Sequence, residues 1–369
     1  MQNRSPNVII ALFFLAISIV GGYLYYMRDA PQEQESKTIQ FNQQLNNALA
    51  KRASVDYTGS INDLTTLLAD APDKNAEGRA WIFLAANLFS RNQGDDRSQS
   101  IKMYKKVVND YGVSPYLRSR ALASIANSVR KIDIAFYTLY FSDPPFNAFL
   151  PSSGSDSFKL SRAYLKILEL SDEVHPNANS KYAIAGGYYA PELANQRDLG
   201  GTTPEEGARI MQKYVKEGDV IQDDTLSVPN VILQGYHDRA SALFASNRIL
   251  KNLKRDDIET AYKLILEKSL RHTKLGDYLA LAVEMKARFS YASFLFESFG
   301  KERYPDIVEI LNPYGVAISD ANPVYKPTRD IWVGRRSRPD SDIVKTRAIA
   351  LAKISPEFHV FLESIGFKL

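Results

Sequence analysis

Residues 80–111, AWIFLAANLFSRNQGDDRSQSIKMYKKVVNDY, decide the fold. Ala80–Phe89 and Ile101–Tyr111 read as two helices across the polar turn at 91–100. Ala85 and Ala86 are small enough to let a neighbouring helix approach closely. One pair of this size cannot bury its apolar face alone, so it must stack on others. The same unit recurs at 230–270 and 276–313: an alanine-rich first helix, a polar turn, and a second helix carrying a tyrosine or lysines.

Upstream, Ile39, Phe41, Leu45, Ala48 and Leu49 mark an amphipathic helix. Ser60 with Asp63 predicts a capping box ahead of Leu64, Leu67 and Leu68, and Pro72 ends that helix. Downstream, Pro115 opens a helix through Leu117, Ala121, Ile125 and Val129. Residues 134–157 break the rhythm with aromatics, prolines and serines, and Leu160, Tyr164, Ile167 and Leu168 resume it. A second irregular stretch is expected at 171–202, holding Pro176, Gly186-Gly187, Pro191 and Gly200-Gly201. Thr203, Pro204 and Glu206 then form the best-defined helix start of the chain: N-cap, N1 proline and N3 glutamate. Helical blocks follow at Asn230–Leu253, Asp256–Thr273 and Leu275–Phe299, then a short one through Ile307 and Leu311. Val344–Ile354 and Phe358–Ile365 form a closing pair. No stretch alternates apolar and polar residues, and no hairpin dipeptide separates β-branched runs. The expected fold class is all-α, with helical pairs at 38–133, irregular loops with one helix at 134–202, and a helical-repeat region at 203–369.

The first unit resembles a tetratricopeptide (TPR) repeat. Trp81, Leu84, Ala85 and Leu88 have the spacing of that family's first-helix aromatic, leucine, small and large-apolar positions. Ser100, Tyr104 and Val107 fit its second helix after a turn three residues longer than usual, and Pro115 falls slightly late for the terminal proline. The match covers about one repeat of 34 residues. The later units depart from the pattern in turn length and in their small residues. The resemblance implies a right-handed helical repeat, an α-solenoid, that captures a protein or peptide segment. The layout also looks like bacterial single-anchor TPR proteins of envelope assembly or protein translocation.

Ahead of the body, Val8–Met27 (VIIALFFLAISIVGGYLYYM) carries no charge. A helix of that length spans ~30 Å, the thickness of a bilayer's hydrocarbon. A cleaved signal peptide would have a shorter apolar core and a small-residue exit. Here the exit is Tyr25, Tyr26, Met27 and Arg28, a good interfacial belt and a poor cleavage site. The expectation is a single-pass signal-anchor with a short tail at 1–7 and a polar tether at 28–37. The brief tail favours a cytoplasmic N-terminus and an extracytoplasmic body, although Arg4 on one side and Arg28 and Lys37 on the other leave the charge rule undecided.

Composition narrows the function. The chain has no cysteine, which excludes disulfides, thiolate metal sites and a lipid-attached cysteine. A net charge of +4 against 46 basic and 42 acidic side chains supplies no global field for nucleic acid. His175, His237, His272 and His359 are scattered without ligand spacing, so no metal is expected, and His237-Asp238 reads as surface or core polarity. The Gly186-Gly187 and Gly200-Gly201 pairs lack the lysine and strand of a phosphate loop, so no cofactor is expected and both read as loop flexibility points. Glu35-Ser36, Glu297-Ser298 and Glu363-Ser364 lack the turn that a lytic transglycosylase would place after its Glu-Ser pair. No catalytic residues are assigned and an enzyme is not expected.

Two patches could meet a partner. Lys326, Arg329, Arg335, Arg336 and Arg338 lie around Trp332, and could bind phosphate or anionic headgroups or pair with Asp340 and Asp342. Phe136, Tyr137, Tyr140, Phe141 and Phe146, with Phe149, could form a peptide or glycan platform or plug a gap between helices. The expected function is partner binding by a membrane-held scaffold. The alternative is an extracytoplasmic glycan- or peptide-binding or hydrolytic envelope protein using the loops at 134–157 and 171–202.

Overall fold

A computed structural model describes residues 35–195, 199, 201–221, 229–273, 277–315, 343–364, 367 and 369. The predicted anchor at 8–27 and the basic cluster at 326–338 lie outside the described residues. Among the described residues no helix is long and apolar enough to cross a membrane.

The described residues are all-α. Helix α1 (35–53) is followed by α2 (Tyr57–Leu67), α3 (Lys74–Arg91), α4 (Asp96–Asn109), α5 (Pro115–Val129), α6 (Ile134–Tyr140) and α7 (Asp156–Val174). Then come α8 (Ala178–Tyr182), a π-helical segment (Ala183–Tyr189), α9 (Ala190–Ala194), α10 (Pro204–Asp219), α11 (Pro229–Leu250) and α12 (Arg255–Thr273). The chain closes with α13 (Tyr278–Phe299), α14 (Tyr304–Gly315), α15 (Ile343–Ala352) and α16 (Pro356–Ser364).

Helix starts are fixed by side chains that accept the otherwise orphaned N–H groups of the first turn. Asp73 accepts from Ala76 N at 2.8 Å, Thr203 from Glu206 N at 3.2 Å, and Asp277 from Ala280 N at 2.9 Å. The Thr203 start therefore stands as read. The capping box expected at Ser60 does not: Asp56 caps α2 by accepting from Gly59 N at 2.8 Å. Ser60 is instead buried within the helix, where it donates to Ala48 O at 2.7 Å and accepts from Asn87 Nδ2 at 2.7 Å.

The irregular stretch expected at 171–202 is a second correction. Residues 178–194 are helical throughout, started by Asn177, which accepts from Ser180 N at 2.9 Å. Gly186 and Gly187 lie inside the π-helical turn rather than in a loop. Tertiary packing overrides their poor helix propensity, because a Cβ on either would strike a neighbouring element.

Helices α10 and α11 pack antiparallel, as do α5 and α7, where Ser119 meets Ser171 at one end and Arg130 lies over the Tyr164 ring at the other, whereas α3 on α5 and α11 on α13 pack parallel. Along α10 and α11 the contacts run in opposite directions: Asp219 meets Arg239 at 2.7 Å and Gln212 meets Ser246 at 3.3 Å. The helices α3 and α5 run the same way: Ser114 N donates to Asn75 Oδ1 at 2.8 Å at one end, and Lys131 lies 5.9 Å from the Phe89 ring at the other. Helices α11 and α13 repeat this relation through Gln234–Lys286, His237–Ser290 and Arg248–Glu297. The arrangement is compatible with a helical repeat.

Burial follows from that stacking. Three apolar cores succeed one another: α1–α3 around Leu45 and Leu64, α3–α11 around Ile125 and Ile167, and α11–α16 around Tyr262 and Phe294. Helices α3 and α11 each place buried residues in two cores. Helix α3 turns Ala80, Leu84 and Leu88 to the first and Ile82 and Ala85 to the second. Helix α11 turns Ala242 to the second, and Leu233 and Ala240 to the third. A helix apolar on more than one face belongs inside a stack, not on its surface.

Candidate functional site

Helix α11 separates two cores, and polar side chains interrupt the apolar packing midway along it. Gln234, His237 and Asp238 stand on consecutive turns of α11, and Lys286 and Ser290 on consecutive turns of α13. The i, i+4 spacing of the latter pair places both on one helix face. The parallel register of the helices sets Gln234 beside Lys286 and His237 beside Ser290.

The contacts form a short chain. Lys286 Nζ donates to Gln234 Oε1 at 3.4 Å, and Gln234 Nε2 donates to Asp238 Oδ1 at 2.6 Å. His237 Nε2 and Ser290 Oγ are 3.1 Å apart. His237 Nδ1 lies 3.5 Å from Asp238 Oδ1, beyond a hydrogen bond, and has no partner. His237 and Asp238 are buried, whereas Gln234, Lys286 and Ser290 are partly exposed. The strip thus opens to solvent on its α13 side and is closed behind.

What closes it is the π-helical turn. A Cβ on Gly186 would lie 1.8 Å from the Asp238 carbonyl oxygen, and one on Gly187 would lie 2.6 Å from the Tyr164 hydroxyl. At Gly186 the backbones of the π-helical turn and α11 therefore touch directly. π-Helical turns are rare and concentrate at functional sites.

Electrostatics follow from burial. Desolvation pushes the His237 imidazole down to about 4, and the Lys286 ammonium adds to that while Asp238 opposes it. Desolvation also pushes Lys286 down to about 8, opposed by Asp238 and reinforced by Arg347 of α15 and Arg130 at the end of α5. Burial raises the Tyr164 hydroxyl to about 12. At neutral pH the imidazole is uncharged.

The order Ser290–His237–Asp238 has the look of a nucleophile, base and carboxylate. The geometry does not assemble a relay, because the imidazole and the carboxylate are not hydrogen-bonded. The backbone N–H groups around Ser290 are also spent within α13, leaving no donors for an oxyanion. A polar strip of this kind can hold and orient a partner's polar groups.

Because the imidazole is buried neutral, acid should weaken the fold through it. The unfolded chain takes a proton near pH 6.5, but the folded chain only near 4. Stability contributed by this site is therefore full above 6.5 and falls as pH drops towards 4, by on the order of 3 kcal/mol. Urea midpoints measured from pH 7.5 to 4.5 should show a decline that His237→Leu flattens. An unchanged slope in the variant would refute the assignment.

The other candidate residues have clear positions. Tyr137, Phe141 and Phe146 are buried, and Phe136, Tyr140 and Phe149 are half-buried. Tyr137 stacks on Phe141 at 4.6 Å and donates its hydroxyl to Phe146 O at 2.9 Å. Lys105 of α4 lies 4.9 and 5.1 Å from the rings of Phe141 and Phe146 and pairs with Asp143. Together they plug the space beside α4 and α7. His175 packs edge-on against Tyr116, and His359 lies on α16 beside Glu363. Among the described residues no group of three or more His, Cys, Asp or Glu could hold a metal ion.

Lys286 and Ser290 escape a motif search because no motif contains them. Their one signal is a short charged interruption, Glu284, Lys286 and Arg288, in the apolar stretch YLALAVEMKARFSYASFLF at 278–296. No family model, curated protein or solved structure matches the chain.

Proposed function

We propose that the chain is a membrane-anchored, TPR-like scaffold that binds a protein or peptide partner at the membrane surface, in the manner of envelope-assembly or translocation proteins. The observation that carries this reading is the parallel packing of α3 on α5 and of α11 on α13. Within each of these pairs the two helices present one face side by side, as stacked repeats do. Specificity would come from the side chains along that face, such as Gln234, Lys286 and Ser290. The uncharged segment 8–27 holds the body at the bilayer, outside the cytoplasm.

Photo-crosslinking side chains at Gln234, Ser241 and Ser290 of the full chain test the surface directly. These positions should capture one protein partner in intact membranes, while the same side chain at Val220 captures none. Absence of a partner, together with turnover of a glycan or peptide by the purified chain, would overturn the scaffold reading. Protease added to intact cells should cut the body. A body left whole would overturn the outward orientation.

A further inference from the structure

Lys286 differs from the other sheltered lysines of this fold. Lys181 meets Asp172 and Glu217 at 2.8 Å each, and Lys105 pairs with Asp143. Among the described residues no carboxylate lies within ion-pair distance of the Lys286 ammonium. The facing carboxylate, Asp238, accepts instead from Gln234 Nε2 at 2.6 Å, so a neutral amide stands between the two charges. Every element around the ammonium matters to its charge. Helix α11 supplies Asp238 and the uncharged His237, α15 supplies Arg347, and the end of α5 supplies Arg130. On α13 itself, Glu284 is committed to Arg288 at 2.8 Å. Two guanidinium groups thus oppose the ammonium charge electrostatically and one carboxylate favours it.

We propose that Lys286 is a nucleophilic amine and a site of Nε-acylation, taking a small acyl group from an activated donor such as an acyl thioester. In that step the Nζ lone pair forms an amide bond to the acyl carbon, the carbon–sulfur bond breaks, and the proton released from the amine leaves with the thiolate as free thiol. Nothing is oxidised or reduced. The partial exposure of Lys286 and Ser290 leaves the donor an approach along the α13 side of the strip. Acylation removes the one ammonium on the strip and replaces it with an amide that can still donate to Gln234, so it changes charge without removing the local contact.

Only the free base is nucleophilic. An ammonium lowered to about 8 is unprotonated in about a quarter of molecules at pH 7.5, against about 0.1% for an ordinary lysine. Lower basicity reduces intrinsic nucleophilicity, so the net advantage is smaller than the ratio of these fractions.

The test uses the full chain in detergent, pulsed with a simple acetyl thioester between pH 6.5 and 10, with acetylation of each lysine read by peptide mass spectrometry. Lys286 should titrate with a midpoint near pH 8 and, at pH 7.5, react about ten times faster than the exposed Lys102. No labelling of Lys286, or a rate that rises in step with Lys102 to pH 10, would overturn the proposal. Gln234→Glu places a carboxylate on the amine and should slow Lys286 at least tenfold at pH 7.5 while leaving Lys102 unchanged. An unaltered Lys286 rate in that variant would overturn it as well.

Discussion

Gly186→Ala is expected to be the most damaging alanine substitution among the described glycines. Its Cβ would sit 1.8 Å from the carbonyl oxygen of Asp238, 2.4 Å from its carbonyl carbon and 2.7 Å from its Cα. All three are backbone atoms of α11, so no side chain can swing aside. Relief requires the π-helical turn and α11 to separate, which opens the packing of Ile184, Ala185 and Ala242 in the middle core. Overpacking ordinarily costs about 1–3 kcal/mol, and a clash with main chain belongs at or above the top of that range. Gly201→Ala is the informative contrast. Gly201 has φ +85 and nothing within 4 Å of where a Cβ would stand, so its cost is conformational only, about 1 kcal/mol. Chemical denaturation should place Gly186→Ala several-fold further from wild type than Gly201→Ala. Equal losses would mean that the two helices are not in backbone contact.

Why Gly186 was unreadable from the chain is a matter of distance. A glycine pair beside Pro191 has the local chemistry of a loop, and only α11, some fifty residues later, explains it. The same holds for Ser60, whose hydroxyl suits an N-cap but is claimed by Ala48 O and Asn87 from neighbouring helices. Features set within one turn were legible. Thr203-Pro204 starts α10 because the cap, the fixed φ and the N3 amide all lie within four residues. The helical pair at 80–111 was legible because Leu84, Ala85 and Leu88 recur at helical spacing on buried faces. The polar strip was half legible: His237-Asp238 stands out in α11, and Lys286 in α13. Their meeting depends on the register of two helices separated by α12, which no local pattern encodes. The aromatic stretch was ambiguous for another reason, since composition alone does not separate a plug from a platform.

Phe358→Ala is expected to disrupt the C-terminal core and leave the N-terminal one standing. Phe358 is fully buried on α16 and stacks on Phe296 of α13, with ring centroids 4.0 Å apart and 5° between planes. Phe361 and Tyr304 extend the stack, at 5.8 and 6.5 Å from Phe358. Truncating such a ring costs about 3–5 kcal/mol, because the rigid aromatic neighbours cannot close the void. Val360 on the same helix is 65% exposed, and Val360→Ala should stay within about 0.5 kcal/mol of wild type. In a stack where each helix touches only near neighbours, the damage should remain local. Amide exchange in Phe358→Ala should therefore accelerate through α13–α16 while α2–α5 keep their protection, and thermal unfolding should split into two transitions. The polar strip sits at the boundary between those regions, on the helix that both cores share. If exchange instead rises uniformly from α2 to α16, the three cores unfold as one unit, and α11 transmits damage rather than confining it.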